Sequence, residues 1–375
     1  MKARRRFGRR YTITLFLALA LVGGWVWLWH FASDRAETTI DAWRAREARA
    51  GHIYACGTQA IAGFPFRIEV DCGQASAIFR GSQPPLELKA PRILAGVDIY
   101  DPQRVTSTFI GPLTIASPPG HAPEITANWK SMQTVVRGTP AAPESLSVAL
   151  DHLHVDKLQG NVRQSLVTAA RVTLDGRIAE GSAAKRPIID VVLRLISASA
   201  PGLHAAAVQP MDADITAVLR GLSDFSPKPW PVRFREIQAA GGRIDITQAH
   251  VRQGETIAVG GGTLSLTANG RLDGQLRVTV AGIEPFLSAI GAQRAVENSK
   301  SMDKLAGALD RFAPGLGDVA RQGASANLSL GINLLGEQTT LDGRRAVTLP
   351  LRFSDGAVFL GPIPIGTTPP LFERP

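Results

Sequence analysis

Three short stretches hold side chains fit for chemistry. The first is Asp151-His152-Leu153-His154-Val155-Asp156. Successive side chains of a strand point to opposite faces, so His152, His154 and Asp156 share one face if this segment is extended. Two imidazoles and a carboxylate suit a divalent metal. A closed site takes four ligands, and no fourth donor stands at a recognisable spacing. The solvated side of a half-buried strand is the simpler reading, so no metal and no other cofactor is expected. The second is the only cysteine pair, Cys56 and Cys72. If residues 53–56 and 66–72 form a hairpin about the Gly63-Phe64-Pro65 turn, the thiols come within bridging distance. The alternative is two buried free thiols. A zinc site is disfavoured, because there is no CxxC and no neighbouring His pair. The third is Gly63-Phe64-Pro65-Phe66-Arg67. It reads as a Gly-Phe-Pro turn followed by an inward-pointing Phe66, with a lip for an apolar ligand as the functional alternative.

Signatures of catalysis are otherwise missing from the sequence. There is no Walker phosphate loop, HExxH, GxSxG or EF-hand spacing. Gly315-Leu316-Gly317-Asp318-Val319-Ala320 matches GxGxxA in letters, but it follows Pro314 and a helical stretch rather than a strand. No enzymatic activity is expected.

The elements that position these residues begin with an anchor. Lys2, Arg4, Arg5, Arg6, Arg9 and Arg10 hold six of the formal net charges of a +9 chain, leaving +3 on everything after them. The high pI therefore belongs to a tail and not to a basic face, which excludes a nucleic-acid-binding body. From Ile13 to Phe31 no Asp, Glu, Lys or Arg occurs, and Trp25, Trp27 and Trp29 cluster at the far end. That length is close to the ~20 residues that span a bilayer, and indoles favour the interface. The positive-inside rule keeps residues 1–10 cytoplasmic, with 11–31 as a single-pass signal anchor in the inner membrane and the body in the periplasm. A cleaved signal peptide competes, but His30 spoils the small-residue pattern before Ala32 and the apolar run is long for an h-region. A disulfide between Cys56 and Cys72 fits an oxidising compartment.

Residues 32–50 read as a helical stalk, mixed in charge, without Gly or Pro, and ended by Gly51. The body, 51–375, reads as strands. Ile68-Glu69-Val70-Asp71, Leu146-Ser147-Val148-Ala149-Leu150, Ile244-Asp245-Ile246-Thr247, Leu264-Ser265-Leu266-Thr267 and Leu328-Ser329-Leu330 alternate with period two. Asp175-Gly176, Asp273-Gly274, Asp342-Gly343, Asp355-Gly356 and Asn269-Gly270 read as tight hairpin turns. Pro-rich loops are expected at 117–119, 140–143 and 227–231. Residues 283–313 lose the alternation and read as a short helical insert of two amphipathic helices. The fold expected is mainly β with minor α: an N-terminal transmembrane helix followed by an extended, twisted antiparallel sheet.

These features together carry a resemblance. The anchor, the Trp43-containing helix, Tyr54-Ala55-Cys56, Gly63–Arg67 with Cys72, and Asp355-Gly356-Ala357-Val358-Phe359-Leu360-Gly361-Pro362-Ile363-Pro364 resemble the Gram-negative envelope family designated domain of unknown function 2125. That resemblance implies an envelope location over nearly the whole chain and supplies no activity. Gly262–Leu266 followed by Gly270–Leu276 also resembles the AsmA-like envelope proteins, which are anchored, β-rich and associated with lipid handling. Two functions follow as expectations. One is binding or handling of lipid or another apolar envelope ligand in a curled sheet. The other is a non-catalytic scaffold for other envelope proteins.

Overall fold

The computed structural model describes residues 4–82, 84–139, 142–160, 162–203, 207–226, 228–282, 336–360 and 363–371. The helical insert expected over 283–313, the Gly315–Ala320 letters and the alternation at Leu328–Leu330 lie outside the described residues. So do Pro140, Pro227, Gly361 and Pro362.

The tail, the apolar run and the stalk form one helix, α1 (Arg4–Arg49), closed by Gly51 at φ +85°. The strands follow: β1 (His52–Ala55), β2 (Thr58–Ala62), β3 (Arg67–Phe79), β4 (Leu86–Asp98), β5 (Asp101–Ile110), β6 (Leu113–Ala116) and β7 (Ile125–Asn128). Next come β8 (Ser131–Thr139), β9 (Ala142–Gln159), β10 (Val162–Ser182), β11 (Lys185–Ala198) and β12 (Met211–Arg220). The second helix, α2 (Trp230–Ala239), precedes β13 (Arg243–Gln253), β14 (Thr256–Leu266) and β15 (Leu272–Ala281). The chain ends with β16 (Glu337–Leu341), β17 (Arg344–Ser354), β18 (Ala357–Leu360) and β19 (Ile363–Thr367).

Every pairing among the described strands is antiparallel, and all nineteen belong to one sheet. β1 and β2 lie end to end along β3 and form one edge. The sheet then passes through β4, β5, β8, β9, β10, β11, β12, β13, β14, β15 and β17, mostly by simple hairpins. The short strands β6 and β7 bridge β4 and β9 beside the β5–β8 pair. A strand twists against its neighbour by some 20–25°, so a sheet of this width must coil. One contact records how far it bends: a Cβ on Gly81, in the β3–β4 turn, would lie 2.7 Å from Pro229, which leads into α2.

Two local readings of the sequence are corrected. Asp175-Gly176 and Asp273-Gly274 are not turns but lie inside β10 and β15. At Gly274 the reason is close approach between strands: φ is +140°, and a Cβ would fall 2.2 Å from the carbonyl oxygen of Thr263. The glycine permits a bend in the hairpin that a side chain would forbid. Asp342-Gly343 and Asp355-Gly356 do occupy hairpin turns, and Asn269-Gly270 lies in the β14–β15 connection. The second correction is α2, which begins where a Pro-rich loop was expected. Pro229 is its N-cap and Pro231 sits in its first turn. Proline is tolerated there because the first N–H groups of a helix have no intrahelical partner.

Cys56 and Cys72 form a disulfide with Cα atoms 5.3 Å apart, closing the edge hairpin across 16 positions. Protein isolated without reductant should show no maleimide-reactive thiol. Cys56→Ser should lower unfolding stability by about 3 kcal/mol, the chain-entropy value for a loop of this size, measured by thermal unfolding.

Candidate functional site

The sheet sorts its side chains by face. Across the first columns, Ile61, Val70, Ala95, Ser107, Thr134 and Val148 stand opposite one another in register. The same row continues through Leu174, Leu193, Ile215, Ala249, Gly260, Val278 and Leu349. This row is apolar apart from Ser107 and Thr134, with a glycine at 260, and the adjacent row on the same face is apolar at Val172, Leu195, Ala213, Val251 and Ala258. One residue along, the opposite face carries cross-strand ion pairs. Arg92–Asp71 (2.5 Å), Arg171–Asp151 (2.7 Å), Arg177–Asp190 (2.9 Å), Arg194–Asp214 (3.1 Å) and Arg220–Asp245 (3.2 Å) form a ladder. Each exposed pair is worth only roughly 0–1 kcal/mol. Their larger effect is to fix which face meets water, because a one-residue slip would exchange the two faces.

Among the described residues, no second layer buries the apolar face along its length. The buried hydrophobic positions are mostly alanines, and the only large side chains below 2% exposure among the described residues are Leu349 and Pro187. Val148, Leu174, Leu193 and Ile215 are half-buried, and Leu146 is exposed. At one end α2 does cover the face. Phe234 and Ile237 of α2, with Leu222 and Phe225 from the loop before it, close over Leu219, Ile244, Leu264 and Leu272. They leave an apolar pocket of about 440 Å³. Because α2 lies on the apolar face and Pro229 reaches Gly81, the sheet curls towards that face, making it the inside of the bend.

An ion network holds α2 in place. Lys228 Nζ reaches Glu236 at 2.7 Å and Asp224 at 3.2 Å, and Arg233 reaches Glu236 at 3.2 Å and donates to the Asp224 carbonyl at 2.7 Å. Burial alone would raise the Glu236 carboxyl. Hydrogen bonds from Lys228 and Ser223, together with the Arg233 charge, outweigh it and hold the group at about 2. Asp224 is lowered by the same balance, burial opposing hydrogen bonds from Ser226 and Lys228.

At the other side of the sheet, α1 runs along the β1–β2 edge. Its buried and half-buried positions, including Trp25, Trp29, Ser33, Ala36, Ile40, Trp43 and Glu47, recur at helical spacing and form one stripe. Trp43 stacks on Tyr54 with centroids 4.8 Å apart, Arg44 donates to Gln59 at 2.6 Å, and Glu47 meets His52 Nδ1 at 3.0 Å. Lower on the helix, the Trp25 indole donates to the Pro65 carbonyl and the Trp29 indole to the Arg67 carbonyl, both at 2.9 Å. Trp29 also meets Phe64 edge-on at 5.5 Å.

The motif Gly63–Arg67 is therefore the hairpin tip that clasps α1. Phe66 does not point inward: Phe64 and Phe66 are 53% and 61% exposed. The strand starts at Arg67, so Phe66 stands on the turn and outside the inward–outward alternation. Arg67 pairs with Glu69 and Asp98 on the charged face. In the remaining candidate cluster, His154 Nε2 lies 2.9 Å from Asp156, and His152 sits in the left-handed region at φ +53°. Asp151 is taken by Arg171 and Ser131. Among the described residues no three His, Cys, Asp or Glu side chains are grouped to hold a metal ion.

The chain matches the family described as "Uncharacterized protein conserved in bacteria (DUF2125)" over residues 29–369. It belongs to that family. The DUF2125 match runs from Trp29 on α1 past β19, so it takes in the hairpin, the apolar face and α2, while Trp25 of the clasp and Leu371 of the α2 pocket lie just outside it. No curated protein matches the chain.

Two outcomes follow. Trp29→Phe should keep the ring against Phe64 and lose the indole bond, costing about 1 kcal/mol, whereas Trp29→Ala should cost roughly 3 kcal/mol or more. Hydrogen exchange at residues 63–67 reads both. Glu236 has a folded value below its ordinary 4.5, so its stabilising contribution is complete above 4.5 and lost as pH falls towards about 2. Amide protection in α2 should hold at neutral pH and fall through that interval.

Proposed function

We propose that this is a membrane-anchored envelope protein that shelters the acyl chains of lipid along the inside of its curled sheet, acting by binding and not by catalysis. The observation that carries this reading is the register-aligned face that runs from Ile61 beside α1 to Leu349, apolar but for Ser107 and Thr134 in that row and largely without a covering layer among the described residues. An apolar surface of that extent on a protein facing water alone would favour aggregation. A lipid tail is the partner that matches it, having length, no polar demand and a source in the bilayer.

The anchor reading rests on α1. It contains one stretch long and apolar enough to cross a membrane. Residues 11–24 are exposed on all sides, as lipid-facing residues are. Trp25 and Trp29 are bonded to the hairpin tip, so cleavage near Ser33 would strip the sheet edge of two hydrogen bonds and two aromatic contacts. This supports an uncleaved anchor. With the basic tail in the cytoplasm, the sheet stands in the periplasm, where the Cys56–Cys72 bridge persists.

The test uses photocrosslinking residues placed in cells. At Val148 or Leu193, on the apolar face, lipid adducts are expected by mass spectrometry. At Arg177 or Arg194, on the charged face, none are expected. Lipid adducts absent from both faces, with a single protein captured at Val148 and Leu193, would replace this reading by the envelope scaffold.

A further inference from the structure

We infer that the β2–β3 hairpin tip is itself a membrane-inserted element, with Phe64 and Phe66 seated in the lipid interface on the periplasmic side. This inference rests on the anchor reading of α1 and goes beyond it, because it places part of the sheet inside the bilayer.

The argument is one of length. The sheet begins to cover α1 at Trp25, and the bare apolar part of the helix is residues 11–24. At 1.5 Å per residue that part is about 21 Å long, against a hydrocarbon core of about 30 Å. The bare segment alone is too short to span. The first charge after Arg10 is Asp34, so the uncharged stretch continues well past Trp25, and the slab must extend up the helix to the level of Trp29 or beyond. At that level the helix is not bare: the carbonyls of Pro65 and Arg67 are bonded to Trp25 and Trp29. Whatever depth those indoles occupy, the tip occupies too.

The side chains at the tip suit that depth. Phe64 and Phe66 are more than half exposed on the protein. Phe66 lies 6.0 Å from the Trp25 ring, so the two form one aromatic surface. The neighbouring β4–β5 turn joins them: the Ile99 N–H donates to the Phe66 carbonyl, and Tyr100 beside it is 79% exposed. Trp25, Trp29 and Tyr100 carry the polar edges that favour the membrane–water boundary, and the wholly apolar rings of Phe64 and Phe66 suit the lipid just beneath it. Arg67 pairs with both Glu69 and Asp98 just above the tip, where the sheet leaves the interface. The arrangement sets the first column of the apolar face, at Ile61 and Ile68, at the bilayer surface.

The full chain is reconstituted in phosphatidylethanolamine–phosphatidylglycerol nanodiscs and labelled without reductant, so that the disulfide keeps Cys56 and Cys72 silent. An environment-sensitive fluorophore is placed at Phe64→Cys, Phe66→Cys or, as a second reporter of the same surface, Tyr100→Cys. Phe16→Cys reports on the helix in the bilayer, and Glu37→Cys reports on the stalk above it. Lipids carrying a nitroxide near the top of the acyl chain should quench most of the emission at positions 64 and 66 and leave position 37 unchanged. If positions 64, 66 and 100 all behave like position 37 while position 16 is quenched by deeper nitroxides, the inference is overturned and the anchor stands. If position 16 also escapes quenching, the anchor reading fails and the inference with it.

Discussion

The constraint on which the structure depends is that a single antiparallel sheet has two faces and this chain gives them opposite character. Register does the sorting. Val148, Leu174, Leu193 and Ile215 stand in line because hairpins join β8 through β12 in sequence. The Arg–Asp pairs one residue away stand in line for the same reason. A globular protein would fold a second layer over the apolar side. Here, among the described residues, α2 covers one end of that side, α1 packs along the β1–β2 edge, and the sheet curls towards the apolar side. Twist supplies the coiling, and the glycine-permitted bend at Gly274 adds to it locally.

Each end of the curl is held by a different kind of contact. At the α2 end the bonds are ionic and mutually dependent, since Lys228, Arg233, Asp224 and Glu236 each touch two of the others or their backbone. Beneath them sits an apolar pocket, so the charges act as a clamp over a greasy contact. Where the β2–β3 hairpin tip meets α1, the bonds are aromatic and neutral, the charged contacts of Arg44 and Glu47 lying further along the helix. Indole N–H groups satisfy carbonyls of the hairpin tip, and rings pack against rings. Neutral contacts of this kind survive in a low-dielectric surrounding, where an ion network would suffer a heavy desolvation penalty. The chemistry of each clasp thus matches the medium proposed for it: water at α2, lipid interface at the hairpin tip. The DUF2125 match takes in the α2 clamp and the Trp29 half of the α1 clasp.

Much of the architecture was legible because its signals are local. The charge-free run Ile13–Phe31, the period-two alternation at Ile68–Asp71 and Leu146–Leu150, and the turn residues at Asp342-Gly343 each act within a few positions. The failures are also local signals, overridden by a neighbour distant in sequence. Asp273-Gly274 spells a turn, but its glycine is needed against Thr263 on the adjoining strand. The prolines around Trp230 spell a loop, yet they sit where a helix start accepts them, and the apolar face gives that helix a surface to pack on. Phe66 spells an inward aromatic, and it faces outward because the turn ends one residue later than expected.

Hydropathy and alternation depend only on residues close in the chain, and they suffice for a mainly antiparallel protein led by one long apolar helix, with one cysteine pair near its first hairpin. Tertiary structure decided that the alternating faces of successive strands line up into one continuous apolar surface, that the sheet bends towards it, and that the Gly63–Arg67 tip grips the leading helix. Those features depend on which residues stand opposite across strands, and a register is fixed by pairing at long range rather than by any single stretch of the chain.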